Sequence, residues 1–381
     1  MSLWFTASAI SPHLQRLWGL DTAQAGWLTT MVQIGFVAGT AVAAVLNLAD
    51  VIPSRGYFVA SALAGAAANA ALIIAPDYPA ALVLRFATGF CLAGVYPPAM
   101  KMIATWFRSS RGLAIGTVVG ALTVGKASPY LVRAFGASDF RAVLLTASAG
   151  AVLAALLVAV GYEDGPHRFE RRPFSLALTG TILRHRQSRL AIGGYLGHMW
   201  ELYAMWTWIP AFVAASVAST GSEASWTIDG VAFGAIAAGG IGCVWGGWQA
   251  DRIGRERLVN LAMAISGACC LIIGLVFGGN VWLLAAVAWV WGFFVVADSA
   301  QFSTMLTEVS PSHSVGTALT LQTSIGFLLT TLPIQLVAEI ADGIGWRWSF
   351  TLLALGPVAG IAAIRKLARL RSAAGAFETG P

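Results

Sequence analysis

The stretch GGWQADRIGRER, residues 246–257, has a weaker copy of itself far upstream, LADVIPSR at 48–55, which places Asp50 201 positions before Asp251. Two further pairs repeat at nearly the same spacing. Gly112 and Pro129 stand 17 residues apart, as do Gly316 and Pro333, each displaced by 204, and Ala114 and Ala318 share that displacement. FRAVLLTASAG (140–150) is answered by WRWSFTLLALG (346–356), with Arg141 and Arg347 offset by 206. Three loose matches at nearly one spacing divide the chain into two copies of a single unit.

Composition says what kind of unit. Of 381 residues, 57% are hydrophobic and 10% charged, against about 25% charged in a soluble domain. The 42 glycines and 15 tryptophans suit close helix packing in lipid and anchoring at its interface. A bilayer crossing takes about 20 mostly apolar residues. Breaks at charge and Pro/Gly clusters give twelve segments: 1–17, 23–48, 57–75, 79–106, 112–133, 140–161, 190–217, 228–250, 257–277, 281–307, 314–339 and 346–364. The expected fold is therefore an all-α membrane protein of twelve transmembrane helices in two six-helix halves. The first helix, with Pro12 only a dozen residues in, reads as truncated. The halves are 1–161 and 190–381, joined by a polar linker at 162–189.

Lys and Arg set the orientation. One side collects sixteen, including Arg55, Arg108, Arg111, six in the linker, and Arg365, Lys366, Arg369 and Arg371 in the tail; the other has Arg16, Arg133, Arg141 and Arg347. That asymmetry predicts cytoplasmic termini, in the inner (plasma) membrane of a bacterium. The net charge of +6 is thus a topology feature, and nucleic acid is not an expected partner. Cys91, Cys243, Cys269 and Cys270 lie in apolar runs with no disulfide or zinc spacing. No metal or cofactor is expected, and no nucleophile–base pair or phosphate loop points to an enzyme. GGIGCVWGG (239–247) reads as helix packing.

With the repeat and the loop established, the chain resembles the major facilitator superfamily over essentially its whole length. Gly247, Asp251, Arg252, Gly254, Arg255 and Arg257 fill the family's loop signature Gly-x-x-x-Asp-Arg-x-Gly-Arg-x-Arg. The first copy keeps Asp50 and Arg55 but has Leu46 and Pro53 where glycines are usual. The resemblance implies that these loops latch a cytoplasmic gate. RFATG (85–89) is similar to the fourth-helix signature, whose Arg is linked with energy coupling. GVYPPAMKMIATWFRSSRGLAIG (94–116) is similar to the organic-anion and nitrate/cyanate-type branches, and GTVVGALTVGKASPYL (116–131) lacks the Gly-Pro-x-x-Gly-Gly of drug/proton antiporters. The resemblance also implies a central cavity lined by helices 1, 4, 7 and 10.

Charges inside apolar segments face cavities or partners. Arg85 and Lys101 are in the fourth segment, Lys126 in the fifth, Glu201 in the seventh and Asp298 in the tenth. In GHMWELYAMWTWIPAF (197–212), His198 and Glu201 stand at i and i+3, and Met205 and Trp208 continue the stripe. Asp298, Gln301 and Met305 form another. The expected substrate site is Arg85, Lys101, Lys126, His198, Trp208 and Gln301, with Glu201 and Asp298 as proton-coupling carboxyls. The excess of cations favours an anionic solute, moved by alternating access with H+ as the coupling ion, by a monomer in the bilayer. Export of a hydrophobic or cationic compound, and a facilitator-like sensor or scaffold, stand as alternatives.

Overall fold

The computed structural model describes residues 1–107, 111–135, 139–166, 175–221, 225–311 and 314–378; for 49, 50, 104, 111–113, 176, 177, 225, 226 and 373–378 it describes the backbone alone. Arg108 and half of the linker arginines, with the side chains of Asp50 and Arg111, lie outside that description.

Among the described residues every regular element is a helix. The expected first span is three short pieces: a 3₁₀ turn Ser2–Trp4, then Thr6–Ala9 and Ser11–Trp18. Pro12 cannot donate a backbone hydrogen bond, so the chain restarts at Ser11 instead of continuing through Ile10. The long helices follow: α1 Thr22–Val45, α2 Ser54–Ala71, α3 Tyr78–Leu92, α4 Tyr96–Ala104, α5 Arg111–Ala134, α6 Phe140–Gly161, α7 Leu176–Arg184, α8 Arg186–Ala218, α9 Ser225–Ile253, α10 Arg255–Ile272, α11 Val281–Ala297, α12 Ser299–Val309, α13 Val315–Ile344 and α14 Leu355–Glu378. The polar stretch at 162–189 is not all loop, since α7 lies within it.

Local chemistry fixes the helix starts. Asp21 caps α1 through Gln24 N at 2.7 Å, and Gln24 Oε1 accepts from Asp21 N at 3.0 Å in return. Asp77, Asp139 and Asn280 cap α3, α6 and α11 with side-chain acceptors. Gly254, at φ +89°, turns the chain between α9 and α10, a conformation in which a side chain would be strained.

Ten helices are long and apolar enough to cross a membrane among the described residues. The stretch 190–217 is not one of the ten, although α8 runs for 33 residues. Its nine consecutive buried residues, Glu201 to Ile209, explain why. A helix enclosed by other helices need not be apolar enough for lipid.

The sequence repeat reappears in the packing. α1 packs on α3 as α9 packs on α11, and α2 on α6 as α10 on α14. The fourth and tenth segments each break once, at 93–95 before Pro97 and Pro98, and at Asp298. Two seams, α5 on α9 and α1 on α13, join the chain before residue 162 to the chain after 185. The contacts are close where glycines meet backbone: a Cβ on Gly292 would lie 1.6 Å from the Ala235 carbonyl oxygen. Gly292→Ala is therefore expected to destabilise the protein by about 1–3 kcal/mol, the scale for overpacking. Thermal unfolding in detergent measures it, and an unchanged midpoint would mean that α9 and α11 do not meet there.

Candidate functional site

Between the helices lies a cavity of about 90 Å³. Its wall is mostly ring and apolar surface from seven of these helices and the first residues of the chain, including Trp4, Phe36, Tyr195, Tyr203, Trp206 and Phe327. Apart from the hydroxyls of Tyr96, Tyr195 and Tyr203, polar side chains are few: Lys126 and Thr123 from α5, His198 from α8, Ser299 and Ser303 from α12, Thr323 from α13.

Lys126 is 4% exposed. Its ammonium donates to Tyr203 Oη at 2.6 Å and lies 4.8, 4.7 and 4.8 Å from the ring centres of Trp4, Tyr203 and Trp206. No carboxylate pairs with it among the described residues. A desolvated cation gains about 2 kcal/mol from a ring face, whereas removing an ammonium from water costs several kcal/mol. Rings and one hydroxyl hold the charge in place without cancelling it, so the cavity keeps a positive pole.

The other pole is His198. Nε2 lies 2.9 Å from Ser299 Oγ, and Nδ1 is 2.9 Å from Asp298 Oδ1. That second contact is proximity rather than an aligned hydrogen bond, because Oδ1 has no donor directed at it. Asp298 sits where α11 breaks into α12, behind the cavity wall and 1% exposed.

The remaining expected residues lie elsewhere. Glu201 is buried between helices, off the cavity: Oε1 accepts from Trp291 Nε1 at 2.5 Å and Cys270 Sγ at 3.2 Å, and Oε2 from Ser266 Oγ at 2.9 Å. It joins α8 to α10 and α11. Arg85 is fully buried and spent on acceptors near the amino terminus. Nη1 reaches the Leu3 carbonyl (3.0 Å), Thr6 Oγ1 (3.1 Å) and Asn69 Oδ1 (3.3 Å), Nη2 the Trp4 carbonyl (2.5 Å), and Nε the Leu28 carbonyl (3.3 Å). It positions Trp4 without touching the cavity. Trp208 donates to the Ile334 carbonyl at 2.8 Å and packs on Trp346, fastening α8 to α13. Gln301 is buried in α12, and Lys101 lies on α4; neither lines the cavity.

At the loop, Asp251 faces Arg255 at 3.6 Å on the continuation of its own turn. Arg255 Nε reaches Glu308 at 2.9 Å, and Arg371 bridges Glu256 at 2.6 Å and Glu308 at 3.2 Å. Arg252 stacks over Trp248 at 3.6 Å. Arg55 and Arg257 are exposed and Gly247 half-buried. Arg371, which the sequence offered only as a topology charge, thus ties α14 into the loop network. The end of the molecule that carries Gly254 is the loop end. At the far end, Arg133 meets buried Asp229 at 3.4 Å and also donates to the Ala9 carbonyl, a pairing that no motif in the sequence announced.

The family model described as Major Facilitator Superfamily matches residues 1–241, well over half of the chain. The chain belongs to the major facilitator superfamily. A second model, sugar (and other) transporter, matches residues 193–367 of this facilitator. It is also similar to the 4-hydroxybenzoate transporter PcaK of Pseudomonas putida, 23% identical over 396 residues, covering 93% of this chain and 86% of that protein. Membership makes the chain an integral membrane protein of a transporter family.

The structural duty of Glu201 can be measured apart from any transport. Glu201→Leu is expected to lose about 1–3 kcal/mol by leaving the Trp291 N–H unpaired, while Glu201→Gln, which keeps an acceptor there, loses less than about 1 kcal/mol. Chemical or thermal unfolding in detergent distinguishes them. Equal losses would mean that the carboxyl does not serve the Trp291 donor.

Proposed function

We propose that this facilitator carries a small aromatic carboxylate, coupled to protons, by alternating access. The observation that carries the reading is the Lys126 ammonium, which faces a ring-lined cavity with no carboxylate partner among the described residues. An anion is what such a pole lacks, and a flat aromatic body suits the walls formed by Trp4, Phe36, Tyr203 and Phe327. The name of the Pseudomonas putida relative points to the same chemistry. Lys126 and His198 are the substrate-contacting pair in this reading. Export of a cationic compound is less well supported, because the buried carboxyl Glu201 lies away from the cavity and Asp298 lies behind its wall.

Coupling is assigned to Asp298 rather than Glu201. Asp298 touches His198, which lines the cavity, so a proton on this pair can respond to a solute carboxylate; Glu201 has no such contact. Asp298 itself stands at the break in the tenth segment, where α11 gives way to α12. The transporter is read as a monomer of twelve spans in two six-helix halves, 1–161 and 190–381, with the broken first segment and α8 completing the ten apolar helices. The loop end is then cytoplasmic, in the inner membrane of a bacterium. The Arg133–Asp229 and Thr22–Asp342 contacts join the two parts of the chain at the far end.

Two measurements in proteoliposomes with labelled 4-hydroxybenzoate test the reading. Lys126→Met is expected to fold with a normal unfolding midpoint but to bind the anion about 2–4 kcal/mol more weakly, the scale for truncating one member of a buried charged pair. Unaltered binding would refute the anion assignment. Asp298→Asn is expected to abolish accumulation driven by an imposed pH gradient while leaving substrate exchange, and Glu201→Gln to retain both. The reverse pattern would return coupling to Glu201.

A further inference from the structure

We propose that Trp4 and Trp206 bind the solute carboxylate together with Lys126, each through its indole N–H. Four tryptophans are buried among the described residues. Two of them are pinned through that group: Trp208 donates to the Ile334 carbonyl at 2.8 Å, and Trp291 donates to Glu201. The Nε1 atoms of Trp4 and Trp206 have no hydrogen-bond partner and are shut off from solvent, each residue being 1% exposed. These two line the cavity, and neither of the pinned pair does.

An unmet buried N–H is costly, and such groups are rare in native proteins. Here two occur on one cavity wall, gathered about one ammonium. Lys126 Nζ lies 4.8 Å from the centre of each of these rings. The cation takes the ring faces, which leaves the ring edges, with their N–H groups, without a duty. Arg85 holds the Trp4 backbone by its carbonyl and leaves the indole to the cavity. Trp206 stands three residues after Tyr203 on α8, so both reach the same ammonium. Ammonium and indole N–H share one property: they donate and cannot accept. An ionised carboxylate only accepts, and its about four lone-pair sites can take all three donors at once. The protein makes this pairing once already, between Trp291 and Glu201. With no acceptor to fix them, the indoles of Trp4 and Trp206 can turn edge-on to a carboxylate that meets Lys126. The set selects an ionised acid over its amide, which would bring donors of its own into a site that supplies only donors.

The inference deepens the aromatic-carboxylate reading and rests on it. Each N–H is deleted singly by replacing the tryptophan with 3-benzothienylalanine, an isostere with sulfur in place of the N–H, and Trp208 is replaced likewise as a control. Calorimetry reads the binding of 4-hydroxybenzoate, 4-hydroxybenzamide and acetate to the purified protein in nanodiscs, beside thermal unfolding. Replacement of Trp4 or of Trp206 is expected to weaken 4-hydroxybenzoate at least about tenfold, the scale of a hydrogen bond to a charged group. The unfolding midpoint stays or rises, since no bond within the protein is lost. At Trp208 the midpoint falls, because the Ile334 carbonyl loses its donor, and the affinity holds. The amide binds more weakly than the acid and responds to neither replacement. Unchanged 4-hydroxybenzoate affinity in either replacement, as expected where an N–H merely rests against a neighbouring ring, overturns the proposal. A loss matched at Trp208, or an equal loss for the amide, also overturns it. If the parent protein does not bind 4-hydroxybenzoate, the aromatic reading fails and acetate decides the inference: acetate binding that weakens in both replacements upholds it, and acetate binding that is absent or unaltered overturns it.

Discussion

The Lys126 ammonium, kept from water with no carboxylate partner among the described residues, governs the middle of this protein. Lys126 could be buried in several ways, and pairing it with Glu201 or Asp298 would have cost least. Instead three ring faces and the Tyr203 hydroxyl hold it. Ring faces attract a cation without neutralising it, so the charge remains available across the cavity. The rest of the central architecture follows from that. Trp4 must be brought in from the first residues of the chain, α8 must present Tyr203 and Trp206 together, and both carboxyls of the neighbourhood must be engaged elsewhere. Trp291, Cys270 and Ser266 occupy Glu201, and Asp298 stands beside His198.

The two ends of the molecule are held by different chemistry. At the far end, contacts cross the seams: Arg133 of α5 with Asp229 of α9, Thr22 of α1 with Asp342 of α13. At the loop end the charged network Arg255–Glu308–Arg371–Glu256 stays within α10, α12 and α14. One network joins the two parts of the chain, and the other lies within one of them. Close glycine contacts, such as Gly292 against Ala235, likewise lie within one part.

The repeated spacing was legible because it lives in residues with fixed backbone duties. Prolines, glycines and a charged turn recur at nearly one spacing, and the packing pairs repeat with them. Lys126 and His198 were legible as cavity residues, since a charge or an imidazole in an apolar run must face a partner or a cavity to be tolerated there. The fate of Glu201 was not. His198 and Glu201 at i and i+3 share a helix face only to within about 60°, given about 100° per residue. α8 lies at a corner, and that angle sends His198 to the cavity and Glu201 into the helix packing behind it. Arg85 escaped for another reason. Its partners are mostly backbone carbonyls, and carbonyls carry no mark in a sequence. The Arg133–Asp229 and Arg371–Glu308 pairs join residues 96 and 63 positions apart, with no local pattern to link them.

The breaks in the first segment bear on how the protein is made. The carbonyls of Leu3 and Trp4 lie in a 3₁₀ turn and find donors on Arg85, which belongs to a helix synthesised some eighty residues later. Peptide groups without partners are unwelcome in hydrocarbon. The Leu3 and Trp4 carbonyls thus lack these donors until Arg85 is made. They reach their final place only after α3 has emerged and its guanidinium is within reach. Docking of Leu3 and Trp4 into the bundle is in this sense a late event, decided by an arginine that the ribosome has yet to add.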